Sequence, residues 1–452
     1  MRLQEARMTG NPFGLYVKFQ RDPIKFLLDT HTMGDLVKIP SITGQSSFIV
    51  HHPEVVRTVL ALEEEKVVKG KAGRVLGYTL GRGLLTSEDP AHTEQRRVLQ
   101  PGFHASMITG AIAEIVRLTD ERLATWQSGE LCAVSDELLD LTLDIVYHTL
   151  FGDDVGADRA ALHAVIENSV QFSASKLTSA LALPMQIPTP ANLRQKRYLQ
   201  QFDDIIGKLM AHGEQRTVRF SAAAAAAAAP GANLLDFMYL AQNAAGARMP
   251  DDEIRDHLAT LIIGGHETTA NLLSWAIYLL ATHPDVYARV CHEVDHVLGS
   301  RLPTADDVRA LPYIRQVMKE TLRLYPPAWT ILREAIDSIE VGGLTIPPKS
   351  MLIVSPYVLH RNPRWFQAAA TFMPERFAPD APHTWHKFAY IPFGAGSRTC
   401  IGNTFAQMES TLVLAMLAQR FRWEVQAGAR IEPEPSVSLR IRGGLRVTMF
   451  AR

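Results

Sequence analysis

The stretch Phe393-Gly394-Ala395-Gly396-Ser397-Arg398-Thr399-Cys400-Ile401-Gly402 sets one cysteine among three glycines, just ahead of a run with helical spacing. Phe405, Met408, Leu412 and Met416 recur at intervals that predict a helix beginning shortly after Cys400. Unpaired backbone N–H groups and the positive end of the helix dipole favour an anion at such a start. A thiolate is the form of cysteine that binds metal. The glycines also lack the side chains that would keep a flat, bulky group away from the backbone. Two readings fit the decapeptide alone: a metal-binding thiolate, or a buried, inert cysteine in a glycine-rich turn.

The chain has 452 residues, 47% hydrophobic and 21% charged, which fits a globular protein with a large core. Lys plus Arg number 46 against 47 for Asp plus Glu, so no global charge draws it to nucleic acid or anionic lipid. Cysteines stand at 132, 291 and 400 without a CxxC pair, which argues against a disulfide framework or structural zinc and for a reducing compartment. Residues 1–10 lack the apolar core of a signal peptide. The apolar region Leu258 to Ala281 is interrupted at its centre by His266, Glu267, Thr268 and Thr269, which a lipid-facing span would not carry. The expectation is a soluble cytoplasmic protein with no membrane anchor and no nucleic-acid partner.

Residues 11–60 open with an amphipathic segment (Pro23, Ile24, Phe26, Leu27, Leu28) and continue with alternating runs at 36–39 and 47–50, predicting a helix followed by a small hairpin sheet. The five glycines from Gly70 to Gly83 predict an irregular loop of the kind that carries specificity. From Ala91 to about Gly213 the period is helical, and the connection from Pro184 to Pro190 is apolar enough to cover a cavity or pack on the core. The octamer Ala222–Ala229 specifies no packing and is assigned no function. Pro250 and the acids Asp251, Asp252 and Glu253 predict the start of one long helix running to about Thr282. Shorter helices follow to Leu324, then strands at 338–341, 344–346 and 351–354. No internal repeat or linker interrupts the chain, so residues 1–452 are expected to form a single, mainly α domain with small β-sheets.

The middle of the long helix, Gly264-Gly265-His266-Glu267-Thr268-Thr269, breaks the rules for a helix interior. Each glycine costs about 1 kcal/mol relative to alanine, and local violations of this kind tend to mark function. A zinc-hydrolase HExxH would need a second histidine at 270, where Ala270 stands, so that reading fails. What remains is room on a helix face, an acid, and a Thr268 hydroxyl able to bond back to a helix carbonyl. Such a site admits water and a diatomic molecule, with Glu267 and Thr268 delivering protons; a helix crossing with satisfied polar groups is the alternative. Further on, Glu320 and Arg323 lie three apart on one helix face and can pair.

Together these segments resemble the cytochrome P450 superfamily of haem-thiolate monooxygenases. Phe393 to Gly402 is similar to its FxxGxRxCxG cysteine loop at every specified position, and Gly264 to Thr269 to its AGx(D/E)T(T/S) motif with Gly in first place. Glu320 to Arg323 resembles ExxR, and Pro374-Glu375-Arg376-Phe377 resembles PERF. The resemblance implies the P450 fold, with haem b (iron protoporphyrin IX) between the long helix and the cysteine loop, and Cys400 as axial thiolate. It implies an acid–alcohol relay of Glu267 and Thr268, a structural triad of Glu320, Arg323 and Arg376, and Phe393 packed beneath the haem near the sulfur. Arg398, His92, Arg96 and, by a looser match, Arg333 would reach the propionates, with Gly402 completing the loop. By analogy the pocket would be lined by the Gly70 to Gly83 loop, the Phe172 to Pro188 region, Ile263, Gly264, Ala328, Trp329 and Thr330. Its apolar character points to a fatty acid, terpenoid or polyketide-like substrate.

The implied reaction inserts one atom of O₂ into a C–H or C=C bond, with two electrons from NAD(P)H. With the cysteine loop near the end of the chain no fused flavin reductase is expected, so a ferredoxin and its reductase, or an equivalent flavodoxin system, would supply them. Arg97 and Lys387 are candidates for a basic docking patch. A monomer is expected. A peroxide-driven peroxygenase of the same fold and a non-enzymatic haem-binding protein are the alternatives.

Overall fold

The computed structural model describes residues 2–41, 44–179, 183–219, 233–242, 246–382 and 384–452; the Ala222–Ala229 run lies outside them. Strand β1 (Glu5–Arg7) precedes helices α1 (Pro12–Arg21) and α2 (Pro23–Thr30). Asn11 and Asp22 cap these helices with side-chain oxygens, and each begins with proline, whose missing N–H would be unpaired there anyway. Strands β2 (Leu36–Ile39) and β3 (Ser47–Val50) then pair antiparallel, as the alternation predicted. After α3 (Pro53–Arg57) come β4 (Val67–Val68) and α4 (Lys71–Leu80).

The last of these corrects the expected Gly70 to Gly83 loop. Gly70 and Gly81, at φ 56° and 58°, flank a ten-residue helix that buries Val75, Thr79 and Leu80 on one side. The glycines at its two ends supply left-handed backbone, so glycine density marked helix boundaries there and not irregularity.

The helical body continues with α5 (Ala91–Leu99), α6 (Ala105–Ala124), α7 (Val134–Val146), α8 (Arg159–Thr178), α9 (Pro190–Arg219) and α10 (Leu234–Leu240), with β5 (Leu131–Cys132) between α6 and α7. Next come α11 (Asp251–Thr282), α12 (Pro284–Val297), α13 (Asp307–Ala310) and α14 (Pro312–Leu324). Helix α11 is the axis of the core. From Thr269 to Ile277 every residue is buried, which requires neighbours on all sides, and α7, α9, α12, α14 and α16 (Asn403–Arg420) provide them. A Cβ on Gly265 would come within 2.9 Å of Val146, so this glycine allows α7 to approach.

Strand β6 (Ile331–Ala335), which was not expected, precedes β7 (Ile339–Val341), β8 (Leu344–Ile346) and β9 (Met351–Val354), which match the expected runs. The main sheet is mixed, in the order β1-β2-β3-β9-β6-β4, with β1–β2 and β3–β9 parallel. Helix α15 (Pro356–Leu359) leads towards the cysteine loop, and β10 (Phe421–Val425), β11 (Pro433–Pro435), β12 (Leu439–Ile441) and β13 (Val447–Ala451) close the chain. The expected mainly α fold with small sheets is what the chain adopts. No helix of the described residues is long and apolar enough to cross a membrane.

Arg323, near the end of α14, is fully buried, and all five of its N–H donors are used. Nε and Nη2 donate to the two Glu320 oxygens at 2.7 Å, and the remaining hydrogens go to the carbonyls of His360, Ala369 and Thr371 at 2.7–3.0 Å. Arg376 Nε lies 3.5 Å from Glu320, and its Nη1 holds the Gln367 carbonyl at 2.8 Å. Lysine offers three donors on a flexible stem and cannot satisfy this set. Arg323→Lys is therefore expected to lose about 3 kcal/mol or more, read as a lower midpoint in chemical denaturation.

Candidate active site

A cavity of about 1050 Å³ opens between α11, the cysteine loop, β6 and a wall made by α4 and α8. Cys400 faces it. The loop is closed by the Cys400 N–H donating to the Phe393 carbonyl at 2.9 Å, and Gly394 and Gly396 both take positive φ, 76° and 72°. A Cβ on Gly396 would run into the Leu60 carbonyl, so this glycine makes room for the protein's own backbone. Gly394 and Gly402 border the cavity with no atom nearer than 3.8 Å to a built Cβ, and these two leave space for a ligand. Phe393 packs against the main core and lines the cavity beside the sulfur.

Burial pushes the Cys400 thiol up, although the Gly402 backbone N–H and the Arg96 charge pull it down. The Gly402 N–H and the Arg96 charge thus favour the anion, as the sequence suggested, against the desolvation of the site. The positive charge of a bound metal ion would supply the missing stabilisation.

On the facing helix, Thr268 Oγ1 donates back to the Gly264 carbonyl at 2.7 Å. Gly264 is open to the cavity, and nothing lies within 4 Å of a Cβ built there, so the two adjacent glycines do different work. Glu267 is 8% exposed, and burial pushes its carboxyl up. Ser438 donates to Glu267 Oε1 at 2.6 Å and accepts from Asn271 Nδ2 at 2.9 Å, which fixes the acid's orientation. His266 points into the core, where its Nδ1 donates to the Ile262 carbonyl at 2.6 Å, so it is not a cavity group. Ile263, Ala328, Trp329 and Thr330 line the cavity as expected. Trp329 is nonetheless largely core, its indole N–H held by the Ser436 carbonyl at 2.9 Å.

Cationic groups gather on one side of the cavity. Arg96 Nη1 donates to the Thr399 carbonyl at 2.6 Å, and Arg398 reaches the Ser87 carbonyl at 2.8 Å, Glu88 at 3.1 Å and Asp89 at 3.2 Å. Arg333 donates to the Leu332 carbonyl at 2.9 Å. Its depth and the Arg398 charge lower its pKa to about 10. Lys69 borders the same space, and desolvation with Arg398 and Arg333 nearby brings its ammonium down to about 7. His92 is held neutral, at about 4, by burial and by Arg398, and its Nδ1 has no hydrogen-bond partner.

These groups fit a ligand with two carboxylates. Four cations, Lys69, Arg96, Arg333 and Arg398, stand against the acids Glu64, Glu88 and Asp89, and burial first, then the neighbouring cations, lowers Lys69 and Arg333, so a bound anion would be favoured there. A porphyrin carrying two propionates, with its metal at Cys400, matches charge, sulfur and space together. The triad of Glu320, Arg323 and Arg376 stands behind the cavity and does not border it.

Sequence reasoning missed Lys69, Asn271, Ser438 and Glu409. Asn271 sits one turn from Glu267 and could have been found by that spacing. Glu409 shares the α16 face of Gly402, Phe405 and Ala406, borders the cavity, and has a buried oxygen with no partner; burial alone raises its pKa well above the carboxylate range.

A lone cysteine under an acid- and threonine-bearing helix, with a cationic rim for a dicarboxylic porphyrin, defines a haem-thiolate enzyme. Residues 13–446 match the family model described as Cytochrome P450, and the chain belongs to that family. Cyclooctatin synthase of Streptomyces melanosporofaciens is 35% identical over 426 residues, covering 93% of this chain and 89% of the relative. Cyclooctat-9-en-7-ol 5-monooxygenase of the same organism is 33% identical, covering 89% and 85%, and pentalenene oxygenase of Streptomyces avermitilis is 29% identical, covering 96% and 94%. The protein is a cytochrome P450 monooxygenase, an oxidoreductase that uses haem and O₂ and acts on a lipophilic small molecule.

The cationic rim makes two predictions. Arg333→Met is expected to stabilise the haem-free protein by removing repulsion, yet to lose haem faster to an acceptor such as apomyoglobin. In the haem-free wild type, Lys69 gives up its proton near pH 7 when folded but keeps it to its ordinary 10.5 when unfolded. The unfolded state then binds more protons across that window, so stability rises with pH from about 7 to 10. Urea midpoints at several pH values check the slope, which Lys69→Met should remove.

Proposed function

We propose that the enzyme hydroxylates or epoxidises a terpenoid at the face of the cavity beneath Gly264 and Thr268. The observation that carries this reading is the cavity itself. At about 1050 Å³ it exceeds the usual small-ligand pocket of roughly 300–1,000 Å³ and has apolar walls beyond its cationic rim, room for a porphyrin and a bulky lipophile together. Relatives named for cyclooctat-9-en-7-ol and pentalenene act on skeletons of this kind.

Cys400 would hold the haem iron, with Phe393 beside the sulfur, and Arg96, Arg333, Arg398, Lys69 and His92 would hold the propionates. The bound haem supplies reductive activation of O₂, one atom going to the substrate and the other leaving as water. Glu267, whose carboxyl is pushed up by burial and oriented by Ser438, is placed to act as the proton donor. The Thr268 hydroxyl, resting on the Gly264 carbonyl, can turn to pass that proton to the oxygen side of the cavity. Apolar walls exclude the water that would otherwise divert reducing equivalents.

Two electrons would come from NAD(P)H through a ferredoxin and its reductase. Lys387 is exposed over the Phe388 ring, whereas Arg97 is paired with Glu94 at 2.7 Å, so its charge is partly neutralised. Arg315 and Lys319 on α14 add basic groups close to one another, and Lys319 is lowered by burial and by Arg315.

Cys400→Ser is expected to abolish the thiolate signature of the reduced, carbon monoxide-bound protein; an unchanged non-thiolate spectrum in the wild type would overturn the assignment. Thr268→Ala should keep that spectrum but lower coupled product formation by about 10²-fold, measured as product per NAD(P)H consumed. Full O₂-driven coupling in that variant would remove Thr268 from the relay, and turnover with peroxide but none with O₂ and an electron donor would make the enzyme a peroxygenase.

A further inference from the structure

The wall of the cavity built by α4 and α8 carries polar groups that the haem chemistry does not use. Thr79 on α4 and Ser169 on α8 both border the cavity, and each is only 3% exposed. Behind them lies Gln195 on α9, fully buried, whose side-chain N–H₂ donates to Thr79 Oγ1 at 3.1 Å and to Ser169 Oγ at 3.2 Å. Asn168 Nδ2 donates to Gln195 Oε1 at 2.6 Å, which sets the face the amide presents. One buried amide thus occupies an acceptor site on each of two hydroxyls.

The hydroxyl hydrogens are left over. Thr149 and Thr178, also on helices, bond back to carbonyls of their own turn at 2.5 and 2.9 Å, but Thr79 and Ser169 donate to no acceptor among the described residues. Ser173, one turn beyond Ser169, lines the cavity and makes no side-chain hydrogen bond among them. A buried donor without an acceptor is costly, and native structures rarely keep one without a reason. Here two donors share one amide anchor, so their oxygens lie close enough to converge on a single acceptor atom.

We propose that Thr79 and Ser169, oriented by Gln195, donate hydrogen bonds to an oxygen already present on the substrate, so that the enzyme selects an oxygenated terpenoid over its parent hydrocarbon. The inference rests on the terpenoid reading given above. A neutral hydroxyl or carbonyl is the matching group, because the cations of this wall are engaged elsewhere: Arg255, on the Thr79 carbonyl, pairs with Asp203 and Asp256, and Lys71, two turns away on α4, with the carbonyls of Leu177 and Ser179. A site built to bond a substrate oxygen discriminates strongly against the analogue lacking it. The enzyme then acts after a step that installs the first oxygen, either an oxygenation or a cyclisation quenched by water, and the anchored oxygen fixes which carbon reaches the haem.

The test titrates the haem-loaded protein with matched pairs, a cyclic terpene hydrocarbon and its alcohol, and a linear alkane and its alcohol, following the haem spin state. Wild type is expected to bind the terpene alcohol about tenfold more tightly than the hydrocarbon, the equivalent of one or two net hydrogen bonds. The double variant Thr79→Val/Ser169→Ala should lose that preference while hydrocarbon affinity stays the same, and Thr79→Ser, which keeps the hydroxyl, should retain it even if the double variant fails to hold haem. Equal binding of alcohol and hydrocarbon by wild type, or a preference that survives the double variant, overturns the oxygen site and leaves the terpenoid reading standing. Tighter binding of the linear pair overturns the terpenoid reading instead, and the linear alcohol's advantage and its loss in the variant then decide the oxygen site. Binding by neither pair overturns both.

Discussion

The buried guanidinium of Arg323 is the constraint on which the active site depends. Its bond to the His360 carbonyl starts a chain of contacts that ends at the sulfur ligand. His360 Nδ1 lies 3.2 Å from the Arg323 carbonyl, and its Nε2 accepts the Ile391 N–H at 2.9 Å. Ile391 in turn accepts the Gly394 N–H, and Phe393 accepts the Cys400 N–H. His360 can take part only as neutral imidazole, since Nε2 must accept, and burial beside Arg323 holds its pKa near 3. The position of the cysteine is thus tied to a fully satisfied arginine about eighty residues away in the chain. A buried ion pair is weak as a source of stability, but leaving one member unpaired is expensive, so the arrangement gains specificity more than strength.

The cationic rim works by the opposite logic. Arg323 is fully compensated; Lys69, Arg333 and Arg398 crowd one another around Glu88 and Asp89. Folding without the cofactor must hold these like charges together, and the two propionates of a porphyrin relieve them. On the proposed reading, cofactor binding would draw partly on repulsion held in the fold, as functional sites commonly trade local stability for affinity.

What could be read in the sequence follows from the range of each interaction. Local patterns were legible: the amphipathic helix after Pro23, the hairpin of β2 and β3, the length of α11, and the Glu320–Arg323 pair three residues apart. Cys400, Glu267 and Thr268 stood out because each breaks the rule of its own neighbourhood. Lys69, Ser438 and His360 were not, because their partners lie far along the chain and nothing near them is unusual. The glycines between 70 and 83 misled for a related reason. Glycine at both ends of a short helix looks the same in sequence as glycine in a loop, and only the buried side of Val75, Thr79 and Leu80 separates the two. Gly264 and Gly265 show the same limit, since adjacent identical residues serve a ligand and a helix packing contact respectively.

The geometry also explains how reaction and recognition stay in register. Asp256, in the first turns of α11, accepts the Arg82 N–H at 2.6 Å, and side chains at Gly81 and Gly83 would collide with it. Arg255 reaches the Thr79 carbonyl at 3.2 Å. The C-terminal end of α4 is therefore fastened to the helix that carries Glu267 and Thr268 three turns further on. A helix rises 1.5 Å per residue, so one continuous 32-residue element links the α4 wall to Glu267 and Thr268. Side chains on α4 and α8 can then change without disturbing the cysteine loop, which is positioned by Arg323 from the other side. Two independent anchors, one for the cysteine loop and one for the α4 wall, would let a single fold keep its chemistry while its selectivity varies.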